Sequence, residues 1–275
     1  MAPNLGILNV VPRATDCKLM RILLTGHLGF IGTALGNQLL NKKYEVIGID
    51  SKNGKEQDLL NIAQWPKNID LVIHLAGKSG VRESLTDPAG YWFNNVEASR
   101  RLFEAYAGTR ILYASSSSAY EPDLNPYAAS KYVLEELAER YPDTLGMRFH
   151  TVYSDICPRE NMFFNKLRSG TLEYVTRHYR DFIHVQDVCD AVELLINSSY
   201  IKGTIDIGTG NPIRIRDLAP NLPVRLNTPG ERNFTCANTE KMSALGFKPK
   251  YSVEKFLTNG NKGNIINLFD GETIT

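Results

Sequence analysis

The sequence predicts an α/β fold: a doubly wound parallel sheet with a smaller C-terminal lobe that binds substrate. Short apolar runs alternate with amphipathic segments of helical length from Arg21 onward. A glycine-rich turn follows the first of these runs. The chain has 275 residues, enough for one large domain or for a domain with a smaller lobe. Strands and helices that alternate in this way imply a sheet with helices on both faces.

Composition argues against several classes of protein. The chain carries 31 Lys and Arg against 30 Asp and Glu, so its charge gives no reason to expect nucleic acid or a membrane surface as a partner. No apolar run approaches the roughly 20 residues that span a bilayer. The four cysteines lie far apart without a CxxC pair, which argues against a zinc site and a disulfide framework. We expect no metal site and a reducing, cytoplasmic location.

The first two strands enclose a glycine motif. The run RILLT leads into Gly26, Gly29 and Gly32, spaced GxxGxxG, and a helix follows. Such a turn brings backbone close to a pyrophosphate, and the helix N-terminus offers free N–H groups. The second strand, YEVIGID, ends in Asp50, whose carboxylate can accept hydrogen bonds from an adenosine ribose. The pattern predicts a Rossmann domain that prefers NAD, because Asp50 would repel the 2′-phosphate of NADP.

Later strands end in small or hydroxylated residues. DLVIHLAG closes on Ala76 and Gly77, which would let a cofactor lie flat over the strand end. ILYAS leads into the row of serines at 115–118, and TLGMRFHTVY, read as one strand, contains Thr151. Ligands bind at the carboxyl ends of parallel strands. The common placing of these residues therefore predicts one shared site.

Tyr127 and Lys131 lie four residues apart at the start of a predicted helix, YAASKYVLEELAERY. Residues i and i+4 share a helix face, so the phenol and the ammonium would lie side by side. A nearby positive charge favours the phenolate form of tyrosine. Such a tyrosine could exchange a proton with a substrate hydroxyl near neutral pH.

These motifs together resemble the extended short-chain dehydrogenase/reductase family, the NAD-dependent epimerases and dehydratases of nucleotide sugars. The segments that carry the resemblance are GHLGFIG, Asp50, HLAG, the serine row, YAASK and RDFIHVQDV, between about residues 20 and 257. Within the family the chain is most similar to UDP-glucuronate 4-epimerases. The stretches responsible are KSGVRES, YASSSSAY, PYAASK, MRFHTVY and PRENM.

The resemblance implies a role for each matching position. Tyr127 becomes the acid/base, Lys131 lowers its pKa and holds the nicotinamide ribose, and Ser116 bonds the sugar 4-hydroxyl. The expected cofactor-binding residues are Gly26, Gly29, Phe30, Ile31, Gly32, Asp50, Asp58, Leu59, Leu75, Ala76, Gly77, Asn95, Tyr127 and Lys131. The expected substrate-binding residues are Ser117, Ser118, Thr151, Arg159, Arg180 and Glu231. Arg180 matches an arginine that grips the diphosphate, and Glu231 an acid at the uridine ribose.

The residues after Ser116 bear on the subclass. Similar dehydratases carry Asp-Glu where this chain has Ser117 and Ser118, and UDP-glucuronate decarboxylases carry an acid at the second position. Hydroxyls can instead bond a uronate carboxylate without repelling it. The resemblance therefore implies a 4-epimerase of UDP-glucuronate or a related UDP-sugar. An NAD(P)-dependent nucleotide-sugar reductase or dehydratase, and a catalytically idle NAD-binding module, stay open. Glu121 departs from the family's glycine at its position.

The expected organisation has four parts. Residues 1–19 form an extension, predicted to be disordered, and 258–275 a tail. Residues 20–153 with about 182–207 form the NAD-binding domain, and about 154–181 with 208–257 form the substrate-binding lobe. Many relatives dimerise through two helices, here at about 95–107 and 127–140. The resemblance thus implies a homodimer.

Overall fold

The computed structural model describes residues 19–155, 162–198 and 200–259. Nine strands occur in this part of the chain. They are β1 (Arg21–Thr25), β2 (Glu45–Ile49), β3 (Leu71–His74), β4 (Arg110–Ser116), β5 (Thr144–Phe149), β6 (Thr151–Tyr153), β7 (Tyr179–His184), β8 (Gly203–Ile207) and β9 (Pro212–Arg214).

Nine α-helices occur in the same ranges. They are α1 (Phe30–Asn41), α2 (Val81–Thr86), α3 (Pro88–Trp92), α4 (Ala98–Ala105), α5 (Pro126–Ala138), α6 (Phe163–Ser169), α7 (Val185–Ile196), α8 (Glu240–Ala244) and α9 (Val253–Asn259). A π-helical turn at Phe93–Glu97 joins α3 to α4.

Six strands form the main sheet in the order β2-β1-β3-β4-β5-β8, and every neighbouring pair is parallel. The inner strands are apolar because both faces are covered. One face packs side chains of α1 and α7, such as Leu35 and Val192, and the other packs α4 and α5, including Phe103 and Leu134. The predicted doubly wound α/β class is confirmed.

The order of the strands decides where a ligand can bind. From β1 the chain passes to β2 on one side and then to β3 on the other side of β1. Connections that leave in opposite directions open a crevice at the carboxyl ends of the two central strands. That crevice lies beyond Thr25 and His74, the last residues of β1 and β3.

A second sheet has three strands in the order β6-β7-β9. The predicted strand over 144–153 is wrong in one respect, because β5 joins the main sheet and β6 the second sheet. The break is at His150, whose N–H donates to Ile207 O and whose ring nitrogen lies 3.4 Å from Asp206. A small apolar cluster packs beneath, made of Tyr153, Phe164, Phe182, Leu218, Val253 and Phe256.

The predicted limits of the two lobes stay a prediction. The extension expected at 1–19 lies outside the described residues except for Leu19, as does the expected tail from residue 260 onward. Helix α9 runs to Asn259, so the first two residues of the expected tail belong to a helix.

Candidate active site

A cavity of about 790 Å³ opens at the carboxyl ends of β1, β2, β3 and β4. It brings together most of the predicted site. The predicted residues that line it are Gly26, Gly29, Phe30, Ile31, Gly32, Asp50, Asp58, Leu59, Leu75, Ala76, Gly77, Ser116, Ser117, Ser118, Tyr127, Lys131, Thr151, Arg180 and Glu231. Arg159 lies outside the described residues.

The glycine turn leaves no room for side chains. Gly26 has φ +72°, and a Cβ built there would lie 2.6 Å from the backbone nitrogen of Ala76. A Cβ on Gly32 would lie 2.0 Å from Gly26 O. Helix α1 then begins at Phe30 with Gly29 as its N-cap, so no side chain occupies its first N–H groups. A backbone cradle at a helix N-terminus fits the pyrophosphate of a dinucleotide.

Asp50 directly follows β2, and its carboxylate is held in a fixed orientation. One carboxylate oxygen accepts from Leu28 N and the other from Lys52 N, both at 3.0 Å. The Lys52 ammonium donates to Leu28 O at 2.9 Å. Asp50 thus keeps acceptor capacity toward the cavity, since an ionised carboxylate has about four lone-pair sites. Its position fits the ribose hydroxyls of NAD.

Asn95, which the resemblance places near the cofactor, contacts the loop that follows β3. It is fully buried and does not line the cavity. Its side-chain oxygen accepts from Lys78 N at 2.7 Å, and its amide donates to Lys78 O and to Ser130 Oγ. A Cβ on Gly77 would lie 2.7 Å from this oxygen. Asn95 holds the loop after β3 from beneath, and cofactor contact by Asn95 stays a prediction.

Lys131 and Tyr127 lie on the cavity side of α5. The Lys131 ammonium donates to Ala114 O on β4 at 2.8 Å, and only 5% of the residue is exposed. Burial lowers the Lys131 pKa to about 8, and the charge of Glu135 opposes that shift. The Tyr127 ring contacts Tyr91 edge to face at 6.0 Å between centroids. Because of burial, the Lys131 ammonium loses its proton at a pH closer to neutral than an exposed lysine does.

The serine row ends β4. Ser116 is 7% exposed, and its hydroxyl accepts from Ser118 N at 3.1 Å, which caps a 3₁₀ turn at Ser117–Tyr120. This local bond explains the turn. It also leaves the Ser116 hydroxyl its own proton to donate into the cavity.

A chain of polar contacts that sequence reasoning missed runs behind the serines. Ser115 donates to Glu135, and Glu135 forms a two-bond ion pair with Arg148 at 2.8 and 2.6 Å. Arg148 lies over the Tyr120 ring at 4.3 Å, and the Tyr120 hydroxyl donates to Asp206. The signal available was spacing, because Glu135 follows Lys131 by one helical turn.

At the other end of the cavity, cations surround Glu231. Arg82 donates twice to its Oε1 atom, at 2.9 and 2.7 Å, and Arg180 Nη2 lies 3.6 Å from its Oε2 atom. Arg180 also donates to Nδ1 of His178 at 3.2 Å. Burial lowers the pKa of His178, and the charge of Arg180 adds to this, so His178 accepts here as a neutral ring.

Residues 228–232 form a strap along this side of the cavity. Gly230 O accepts from Asn125 Nδ2 at 2.8 Å, and Glu231 pairs with Arg82. Arg232 donates to Glu121 Oε1 and to Ser117 O, both at 2.6 Å. Sequence reasoning missed Arg82, Asn125 and Arg232, which are distant in the chain from the motifs that they contact.

The fold, the glycine cradle and the carboxylate that ends β2 define a dinucleotide-binding protein. The family model for the NAD dependent epimerase/dehydratase family matches residues 22–208, and the chain belongs to this family. Its cofactor is NAD.

The relatives include nucleotide-sugar enzymes. The uncharacterized UDP-glucose epimerase YtcB of Bacillus subtilis (strain 168) is 28% identical over 92% of this chain and 100% of its own length. The probable UDP-glucuronate 4-epimerase of Rhizobium meliloti (strain 1021) is 26% identical over 86% of this chain and 94% of its own. MoeE5, solved with UDP-glucose and NAD and with UDP-glucuronic acid and NAD, is 30% identical over 85% of this chain. Those structures are covered to 94% and 95%, with TM-scores of 0.75 and 0.72.

Within residues 19–155, 162–198 and 200–259, no group of three or more His, Cys, Asp or Glu side chains is placed to hold a metal ion. The same residues contain no helix with the length and apolar character needed to cross a membrane.

Proposed function

We propose that this protein is an NAD-dependent 4-epimerase of a nucleotide sugar, with UDP-glucuronate or a related UDP-uronate as substrate. One observation carries the proposal. Ser116, Ser117 and Ser118 line the same cavity as Tyr127, Lys131 and the glycine cradle, with hydroxyls where a dehydratase or decarboxylase needs a carboxylate. The similarity to MoeE5, solved with UDP-glucose and NAD and with UDP-glucuronic acid and NAD, supports a UDP-sugar as the substrate.

Tyr127 acts as the base that takes the proton of the sugar 4-hydroxyl, and Ser116 bridges the two groups through its hydroxyl. Lys131, one helical turn beyond Tyr127, favours the tyrosinate through its charge. NAD, when bound, supplies the hydride acceptor and donor at C4. The 4-keto sugar turns its other face in the cavity, and Tyr127 returns the proton to the inverted alcohol.

The serines have a second task in this mechanism. A 4-keto uronate is a β-keto acid and can lose its carboxylate as CO₂. Hydroxyls of Ser117, Ser118 and Thr151 bond the carboxylate and hold it near the ring plane, where the bond that would break overlaps poorly with the ketone. Arg180 meets the diphosphate at the far end of the cavity and fixes the nucleotide while the sugar turns.

Proton NMR of the purified protein with UDP-glucuronate, and no added cofactor, tests the proposal. We expect the H1 and H4 signals of UDP-galacturonate to appear, because an epimerase regenerates its NAD in each turnover. A requirement for added NADH would favour a reductase, and a UDP-pentose product would favour decarboxylation. Absence of any product and of UDP binding would favour an idle NAD-binding module.

We also propose a homodimer and a cytoplasmic location. Trp92, Phe93 and Tyr132 are 48%, 53% and 40% exposed on the neighbouring α3, π-helical turn and α5. Clusters of exposed apolar side chains are typical of protein interfaces. The location rests on the widely spaced cysteines of the sequence.

A further inference from the structure

Arg232 is a cation that contacts the serine row directly. Its Nη1 atom donates to the main-chain oxygen of Ser117 at 2.6 Å, and its guanidinium lies 5.7 Å from the centre of the Tyr120 ring. The side chain is 17% exposed and lines the cavity. The strap that carries Arg232 is itself anchored by the bond from Asn125 to Gly230. The position of the guanidinium is therefore fixed on both sides.

Glu121 is the counter-charge of Arg232. Its carboxylate accepts from Arg232 Nε at 2.6 Å and is 48% exposed. The bonds from Arg232 to Glu121 and to Ser117 O use two of the five N–H groups of the guanidinium. Donors therefore remain for an anion in the cavity. Glu121 is also the residue that replaces the family's usual glycine, and its side chain gives a partly buried arginine a partner.

We propose that Arg232 is a specificity-determining residue that binds the carboxylate of the uronate sugar. The proposal rests on the proposed function and names the side chain that distinguishes an acidic sugar from a neutral one. A carboxylate held by Ser117 and Ser118 would lie beside this guanidinium. A guanidinium adds to the hydroxyls an opposite charge and a fork of N–H donors that matches a carboxylate. A neutral hexose at the same place would leave this cation without an anion from the sugar.

Arg180 also lines the cavity and carries a positive charge. Burial lowers the pKa of the Arg180 guanidinium, the charge of Glu231 opposes this shift, and the charge of Arg232 adds to it. Arg180 contacts His178 and Glu231, whereas Arg232 donates to the main-chain oxygen of Ser117 in the serine row. This division assigns Arg180 to the nucleotide and Arg232 to the sugar.

The test measures binding of UDP-glucuronate, UDP-glucose and UDP by calorimetry to NAD-loaded protein that carries Tyr127→Phe, which slows turnover about 10²- to 10⁴-fold. In this background Arg232→Met should weaken UDP-glucuronate binding about 10- to 100-fold, the range for a lost bond between charged groups. Binding of UDP-glucose and UDP should change by less than about two-fold. Arg232→Lys should give an intermediate loss for the uronate.

Glu121→Gln gives the opposite change. It removes the carboxylate that competes for Arg232, so UDP-glucuronate should bind about three-fold more tightly while UDP binding stays unchanged. This arm holds even if Arg232→Met reduces folding, which thermal melting would reveal.

Equal weakening of all three ligands by Arg232→Met would overturn the proposal, because Arg232 would then serve the nucleotide or the fold. Unchanged uronate binding would overturn it as well. Either result leaves the 4-epimerase standing if the unmodified protein still converts UDP-glucuronate. No conversion, together with equal affinity for UDP and UDP-glucuronate, would instead count against the proposed function.

Discussion

Lys131 is an ammonium group held away from water beneath the active-site cavity. It bonds Ala114 O, and burial lowers its pKa from 10.5 to about 8. The folded chain therefore binds this proton less firmly than the unfolded chain does. Between pH 8 and 10.5 the unfolded state holds more protons, so the free energy of unfolding should rise with pH across that window. Below pH 8 the buried charge destabilises the fold in full.

Lys131→Met should reveal this cost in cofactor-free protein. The shift from 10.5 to about 8 corresponds to about 3 kcal/mol, of which the lost bond to Ala114 O offsets about 1 kcal/mol. At pH 7 the variant should be more stable by about 2 kcal/mol and also inactive. The gain should shrink as pH rises toward 10. Urea unfolding at pH 7, 8.5 and 10 measures it, and a gain that grew with pH would contradict the assignment.

Tyr127→Phe should lower the epimerisation rate by about 10²- to 10⁴-fold, the usual contribution of a general acid or base. NAD should remain bound, because the glycine cradle and Asp50 are untouched. Product formation by NMR and release of NAD on denaturation give the two readings. Tyr132→Phe is the matched control on the same helix, where the side chain is 40% exposed and away from the cavity. Comparable loss in both variants would count against Tyr127 as the base.

Two polar residues, Asn95 and Glu135, have hydrogen-bond partners that the sequence did not predict. Asn95 matches the family's asparagine near the cofactor, yet its side chain bonds Lys78 and Ser130. Glu135 lies in a predicted amphipathic helix, where a charged residue is expected to face solvent. In the structure it accepts hydrogen bonds from Ser115 and Arg148. Which partner a polar side chain meets depends on the distance between elements, which no local pattern contains.

At the scale of elements, Asn125, the N-cap of α5, makes two hydrogen bonds with different effects. Asn125 caps the helix through Ala128 N at 2.8 Å and donates from its amide to Gly230 O in the strap. The helix that carries Tyr127 is thereby joined at its first turn to the segment that carries Glu231 and Arg232. Loss of the cap loosens the helix, and loss of the amide loosens only the strap.

Asn125→Asp and Asn125→Ala should separate these effects. Asp keeps the cap, so its melting temperature should stay near that of the unmodified protein, whereas Ala should cost about 1 kcal/mol. Both lose the donor to Gly230 O, and both should bind UDP about five-fold more weakly. Thermal melting and calorimetry provide the measurements. Full affinity in Asn125→Asp would show that this bond does not hold the strap.

The regular elements were the predictable part. RILLT, YEVIGID and DLVIHLAG are apolar runs bounded by turns, and each contains a strand of the main sheet. The run at 144–153 gave no sign of its break, because His150 alone separates β5 from β6. The break follows from pairing, since β5 pairs with β8 and β6 with β7. Pairing between distant strands is a property of the whole chain.

For the whole molecule, the proposed dimer makes its own prediction. Phe93→Glu combined with Tyr132→Glu places two charges in the aromatic surface and should raise the dimer dissociation constant by more than about 30-fold. Sedimentation velocity measures the change. Leu40→Glu is the control, because Leu40 is 57% exposed on α1, against the opposite face of the main sheet. A shift to monomer in the control alone would place the interface elsewhere.

The strap at residues 228–232 bears on how fast a bound nucleotide dissociates. Its outermost link, between Arg82 and Glu231, is a pair in which the arginine side chain is 60% exposed. Pairs of this kind are screened by dissolved ions. We expect UDP to leave about twofold faster in 0.5 M than in 0.05 M NaCl by stopped-flow displacement, and Arg82→Met to lose most of that dependence. The residence time of a nucleotide would then follow the ionic strength around the protein, while the proton chemistry beneath it would not.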